Sequence, residues 1–162
     1  MKRQLKKIVC LALITSMILG QKTLKTTKNV TAKEKKDIKI AIDAGHQARG
    51  NFAMEPVGPG SSTRKAKVAG GATGVASHVP EYKLTLAVSK KLQKELKARG
   101  YKVYMIRTKN NVNISNKKRA QLANKSGADI YIRIHADSSN SRAVTGASGL
   151  YPSKANRYVS KL

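Results

Sequence analysis

Residues 39–46 read KIAIDAGH and residues 129–135 read DIYIRIH. Each is a short β-branched run that closes on a histidine, His46 in the first and His135 in the second. Residues 38–43 alternate and end at Ala44-Gly45, which is the signal of a strand followed by a turn. Residues 129–134 predict a further strand of the same kind. Between the two lie a helical pattern over 80–99, a third β-rich run over 101–107 (YKVYMIR) and a second helical pattern over 115–126. Pro80 fits a first helical turn, while Gly100 and Gly127 stand where helices stop. Strand, helix, strand, helix, strand requires crossover connections. It predicts a single α/β domain whose sheet is largely parallel or mixed and carries helices on both faces. In such sheets ligands bind outside the carboxyl ends of the strands, where both histidines fall.

Working outward, Leu84, Val88, Leu92 and Leu96 recur every four residues with Ala87 beside them, which predicts one buried stripe on the first helix. Lys90, Lys91, Lys94 and Lys97 lie off it. Residues 47–79 hold six glycines with breakers at Pro56, Pro59 and Gly70-Gly71, and read as a long connection of the functional kind. Residues 149–151 predict the start of a fourth strand and residues 153–162 a further helix.

Glu81 stands in the first turn of the helix, close to the phase of Leu84 and Val88, and so points toward the sheet edge. Two imidazoles and a carboxylate converging there form a zinc site with an open fourth position. Spacing alone leaves blander readings standing. Each histidine taken singly reads as structural, and Glu81 reads as a carboxylate stabilised by the helix dipole. Asp43 and Asp137 flank the two histidines as candidate partners of the ligands. Glu55 reads as a solvated loop residue, the alternative being a carboxylate that reaches the metal if the loop folds over it. His78 reads as a surface histidine.

The chain has 162 residues, with 33 Lys+Arg against 8 Asp+Glu and a net charge of +25. It has six Tyr, one Phe, no Trp and a single cysteine. These proportions exclude a collagen-like chain, a disulfide scaffold and a multispan membrane protein. Lys2, Arg3, Lys6 and Lys7 precede a thirteen-residue apolar run over 8–20, the order of a secretory signal peptide. That run is shorter than the roughly 20 residues of a spanning helix. Residues 1–20 are therefore read as a signal peptide or N-terminal anchor, with no small-x-small cleavage site near Gly20. Cys10 lies inside the run, so a lipid-bearing cysteine is not expected. Residues 21–37 read as a Lys/Thr-rich linker. Residues 1–37 hold ten basic and two acidic side chains, which leaves 23 and six, a net charge of +17, to the domain over 38–162. Such a field attracts polyanions. Export makes nucleic acid the weakest candidate and leaves anionic wall polymers, with membrane contact only through an uncleaved leader.

The segments KIAIDAGH (39–46), PEYKLTLAVSKKLQKELKARGYKVYMIRT (80–108) and KKRAQLANKSGADIYIRIHAD (117–137), in that order, resemble the zinc-dependent N-acetylmuramoyl-L-alanine amidases of the amidase-3 type. The resemblance covers nearly all of residues 38–151. It implies a peptidoglycan hydrolase that cleaves the amide between the lactyl group of N-acetylmuramic acid and L-alanine, in wall remodelling or lysis. It places one zinc ion on His46, Glu81 and His135, the three residues selected by the strand-end map. Arg107, Arg119, Ala123-Asn124 and Ala128-Asp129 match positions typical of the family and are read as architectural. An inserted segment within 47–79 could regulate access, with Glu55 as its carboxylate.

Three departures from the family pattern stand out: Gln47-Ala48 where glycines are common, Asn110 where an aspartate is frequent, and Asn116 where a core leucine is frequent. A fourth is larger. The family uses a second glutamate on a late strand to handle the proton, whereas this sequence has no glutamate after Glu95 and no acidic residue after Asp137. The expectation is a C-terminally truncated record of a true amidase, with its acid–base residue unassigned. The alternative is a non-catalytic wall-binding or regulatory protein that keeps the fold. Either is expected to be secreted or wall-associated.

Overall fold

Ile40, Ala41, Ile42, Asp43 and Ala44 are all buried, as befits a central strand covered on both faces. They belong to β1 (Lys39–Ala44) in a computed structural model that describes residues 33–141 and 143–151. The leader, most of the linker and the helix expected over 153–162 lie outside the described residues. β1 is flanked on one side by β4 (Lys102–Met105) and on the other by β5 (Ile130–Ile134), both parallel to it. Ile40 pairs with Val103 and with Ile130, and Ala44 pairs with Ile134.

Helix α1 (Glu81–Ala98) connects toward β4, and α2 (Asn116–Lys125) connects from β4 to β5. The two crossovers run in opposite directions along the sheet, so right-handed connections put one helix on each face. Ala41, Ile106 and Ala123 form a core cluster beneath α2, with Leu122 and Ala128 packed against it. Ser115 caps α2 by accepting from the Lys118 backbone N–H at 3.1 Å. Gly127, at φ 64°, ends α2 in the left-handed region. Among the described residues no helix is long and apolar enough to cross a membrane.

Three expectations are corrected. The first concerns residues 47–79, which are not one irregular connection. They contain an antiparallel hairpin, β2 (Asn51–Pro56) with β3 (Arg64–Val68), in which Glu55 pairs with Lys65. Neither strand shows a clean apolar alternation, and a register shift interrupts the pairing between Asn51 and Met54. The second concerns the fourth strand expected over 149–151, where the structure shows none.

The third concerns the buried face of α1. Leu84 and Val88 are 45% and 41% exposed, while Glu81, Thr85, Leu86 and Ser89 are buried. Polar demands turn the helix to this phase. The Thr85 hydroxyl donates to the Gly45 carbonyl at 2.8 Å, and Arg107 donates to the Tyr82 carbonyl at 2.8 Å. Only Leu92 and Leu96 of the expected stripe are half-buried.

Candidate metal centre

β1 and β5 are neighbours, so the histidines that follow them emerge side by side at the carboxyl edge of the sheet. α1 starts against the same edge with Glu81 in its first turn. The nitrogen and oxygen donors of His46, Glu81 and His135 all lie within 4.8 Å of one another. The two imidazoles meet edge to face, 4.8 Å between centroids and 88° between planes. Glu81 spans them, with Oε2 3.2 Å from His46 Nε2 and Oε1 3.0 Å from His135 Nδ1.

Backbone groups hold Glu81 and His46, and a side chain holds His135. The Ala72 N–H donates to Glu81 Oε2 and the Ala136 N–H donates to Oε1, both at 2.9 Å. Burial alone would raise the Glu81 carboxyl. Those two N–H groups, with His46 and His135 beside it, outweigh burial and hold it below the usual carboxylate value. His46 Nδ1 lies 2.9 Å from the Ala69 carbonyl. A carbonyl only accepts, so Nδ1 donates there and Nε2 is the ring nitrogen turned toward Glu81. His135 Nε2 accepts from Arg133 Nε at 3.0 Å. An anionic carboxylate and two imidazoles whose ligand atoms lie within 4.8 Å of one another are a donor set of the kind that zinc takes.

Two glycines permit this approach. A Cβ on Gly45 would lie 2.6 Å from His135 Cε1 and from the Ile134 carbonyl. One on Gly71, whose φ is 83°, would lie 2.9 Å from His46 Cγ and 3.1 Å from Glu81 Oε2.

Two buried arginines fix the segment that carries His46. Arg107 donates to the carbonyls of Ala44 at 2.8 Å and Gly45 at 3.0 Å. Arg119 donates to the carbonyls of Ala44 and His46, both at 2.9 Å. These contacts make both arginines architectural, consistent with the sequence reading. Burial pushes the Arg107 guanidinium down to about 10, Arg119 adds to the fall, and Asp43 opposes it. Asn110, where the family often has aspartate, accepts from Arg107 at 3.1 Å without adding a charge. Gln47 is buried; its side-chain oxygen accepts from the Ile114 N–H at 3.0 Å and from Arg119 at 3.3 Å.

The remaining sequence candidates fall elsewhere. Asp43 is buried and pairs with Arg119 at 2.5 Å, so it acts on His46 through that arginine and touches neither imidazole. It also accepts from the Tyr131 hydroxyl at 2.6 Å. Burial first, and then the Asp43 charge, push that phenol above its ordinary range. Asp137 is exposed and borders a small cleft beside Glu81. His78 is exposed and outside the cluster.

Glu55 is not solvated and is not part of the His46–Glu81–His135 cluster. It is 5% exposed and accepts from the Lys117 backbone N–H at 3.0 Å, capping α2 in place of a solvating water. Thr85, Arg133 and the backbone of Ala69, Ala72 and Ala136 also belong to the site. No sequence signal marked them, although Gly70-Gly71 marked the place where the chain must pass close to the ligands.

The family model for N-acetylmuramoyl-L-alanine amidase, Amidase_3, matches residues 40–161. No curated protein matches the chain. Among solved structures, the N-acetylmuramyl-L-alanine amidase Ami1 from Mycobacterium smegmatis is 22% identical with a TM-score of 0.60, covering 66% of this chain and 50% of that one. The apo form of Ami1 from Mycobacterium abscessus is 24% identical with a TM-score of 0.58, covering 63% and 49%. These two likenesses concern the fold. The catalytic domain of CwlV from Bacillus (Paenibacillus) polymyxa var. colistinus is 26% identical with a TM-score of 0.50, covering 66% and 49%. The chain spans about half the length of each of these structures.

Proposed function

Since the chain belongs to the Amidase_3 family of N-acetylmuramoyl-L-alanine amidases, we propose that it is a zinc-dependent peptidoglycan hydrolase that cleaves the amide between N-acetylmuramic acid and the L-alanine of the stem peptide. The ligands in this reading are His46, Glu81 and His135. The observation that carries it is the convergence of their donor atoms within 4.8 Å at the carboxyl edge of the sheet.

When bound, zinc supplies a Lewis acid for the scissile carbonyl and makes water a usable nucleophile near neutral pH. The chain's own residues prepare the place. Glu81 is kept anionic by the Ala72 and Ala136 N–H groups. His46 is kept in one tautomer by the Ala69 carbonyl, and Arg107 and Arg119 keep the end of β1 from shifting. Preorganisation of this kind avoids moving dipoles during the reaction.

The same reading places the substrate outside the cytoplasm. Residues 1–20 serve as the export or anchoring segment, 21–37 as a linker and 38–162 as the catalytic unit. The basic surface then favours anionic wall polymers, in a salt-dependent manner.

The test is zinc content per chain after metal stripping and reloading, together with release of new amino groups from purified peptidoglycan. About one zinc per chain is expected, lost in His46→Ala, with free stem peptides beginning in L-alanine among the products. A folded, zinc-loaded chain that binds peptidoglycan and releases no amino groups refutes the hydrolase and favours a wall-binding role.

A further inference from the structure

A cleft of 530 Å3 lies between the β2–β3 hairpin and α2, outside the His46–Glu81–His135 cluster. Its volume falls within the range of small-ligand sites, about 300–1,000 Å3. Lys65, Lys117 and Arg133 line it. Among the described residues nothing hydrogen-bonds or ion-pairs with the ammonium groups of Lys65 and Lys117. The carboxylate of the cleft, Glu55, is already engaged by the Lys117 backbone N–H. Arg133 also faces Asp43 Oδ2 at 3.5 Å, so the positive charge that the protein itself leaves unmatched is that of Lys65 and Lys117.

Arg133 joins this cleft to the cluster. It donates to Asn116 Oδ1 at 2.5 Å and to His135 Nε2 at 3.0 Å. The amides of Gln121 and Asn124 complete the polar wall. They carry both donors and acceptors. A phosphate polymer offers oxygen acceptors and would leave those amide oxygens unmatched, whereas a peptide supplies N–H groups to them and carboxylates to the cations.

We propose that this cleft binds the carboxylate-bearing part of a peptidoglycan stem peptide, with Lys65, Lys117 and Arg133 meeting its carboxylates. The proposal rests on the amidase reading and extends it from the cleaved bond to the recognised peptide.

The probe is the free tripeptide L-alanyl-γ-D-glutamyl-L-lysine, which carries two carboxylates and lacks the scissile bond. Its binding to the full zinc-loaded chain is followed by calorimetry. The wild type is expected to bind it. Lys65→Gln with Lys117→Gln is expected to weaken binding by roughly tenfold or more, since the charge-assisted hydrogen bonds are lost, while zinc content is retained. The same tripeptide amidated at both carboxyls is expected to bind the wild type as weakly as the acid form binds the variant.

Absence of tripeptide binding by the wild type, equal affinity in the double variant, or inorganic phosphate binding as tightly through the same lysines each overturns the proposal. The two readings fail separately. A chain that binds the tripeptide through Lys65 and Lys117 without hydrolysing peptidoglycan refutes only the amidase. One that hydrolyses it and is indifferent to both substitutions refutes only the cleft.

Discussion

Replacing Arg119 with alanine is the sharpest test of how the site is held. The guanidinium is fully buried and pairs with Asp43 Oδ1 at 2.5 Å. It also donates to Ala44 O, His46 O, Ile114 O and Gln47 Oε1 at 2.9–3.3 Å. Alanine leaves the Asp43 carboxylate buried with the Tyr131 hydroxyl and a longer 3.5 Å approach from Arg133. Breaking a buried pair by removing one partner costs about 3–5 kcal/mol, a large share of the roughly 5–15 kcal/mol that holds a domain together. Arg119→Lys keeps a cation beside Asp43, yet one ammonium cannot reach the four other acceptors, so a loss of about 2 kcal/mol is expected. Urea unfolding near neutral pH reads both values as shifts in midpoint at constant slope. Asp43→Asn combined with Arg119→Met should cost less than the sum of the single changes, because neither charge is then stranded. A loss below about 1 kcal/mol for Arg119→Ala, or strict additivity in the pair, would refute the argument that this buried pair sets the end of β1.

Further outcomes follow from the same geometry. Gly71→Ala puts a methyl 2.9 Å from His46 Cγ and should lower zinc affinity at least about tenfold in competition with a chelating dye. Gly60→Ala, at φ 70° with nothing near it, is the control: it should lose about 1–2 kcal/mol of stability and no zinc affinity. Leu86→Ala should cost about 2–5 kcal/mol, while Leu84→Ser and Val88→Ser should stay within about 0.5 kcal/mol; the opposite ranking in thermal melts would restore the Leu84–Val88 stripe as the buried face. The folded state lowers the Glu81 carboxyl, so the stability its charge contributes is complete above the ordinary glutamate value of about 4.3 and is lost as pH falls through the depressed one. Acid titration of the metal-free chain should show this limb, and Glu81→Gln should flatten it; an identical limb in the variant contradicts the assignment.

The strand framework was legible because short β-branched runs bounded by turn residues leave a strong mark, in buried β1 and in the more exposed β5 alike. IKIAID (38–43) and DIYIRI (129–134) each fall within a residue of β1 and β5. Convergence of His46 and His135 followed from the rule for the carboxyl ends of parallel strands. The phase of α1 was not legible. A period-four apolar stripe predicts Leu84 and Val88 inside, but the helix is rotated by hydrogen bonds from Thr85 to Gly45 and from Arg107 to Tyr82, partners far away in sequence. The hairpin escaped for another reason. Its strands bury little, its alternation is broken by a register shift, and its key residue Glu55 looks like a loop carboxylate until its distant partner, the Lys117 N–H, is known.

The buried side chains explain why so much of the site lay outside sequence patterns. Among the described residues eight of them are apolar and eight are polar or charged, and the latter include Asp43, Gln47, Glu81, Thr85, Arg107 and Arg119. Burying such groups is unfavourable unless each finds a partner. For Thr85, Arg107 and Arg119 the partners are the carbonyls of Ala44, Gly45 and His46, groups that a strand ending at a sheet edge would otherwise leave to water. Asp43 accepts from Arg119 and Tyr131, and Glu81 from two backbone N–H groups. The consequence is local. His46 holds a φ of 58°, a conformation uncommon for a residue with a side chain. The Arg119 bond to its carbonyl, the Ala69 bond to its ring and the Gly45 N–H bond to Ile134 O together impose it. Strain of this kind persists only where the surroundings over-determine the backbone. Turning the chain at His46 by that one unfavourable angle aims its imidazole at Glu81 instead of continuing the strand. The polar core therefore exchanges some stability for the direction of a single side chain, which is what the proposed metal centre requires.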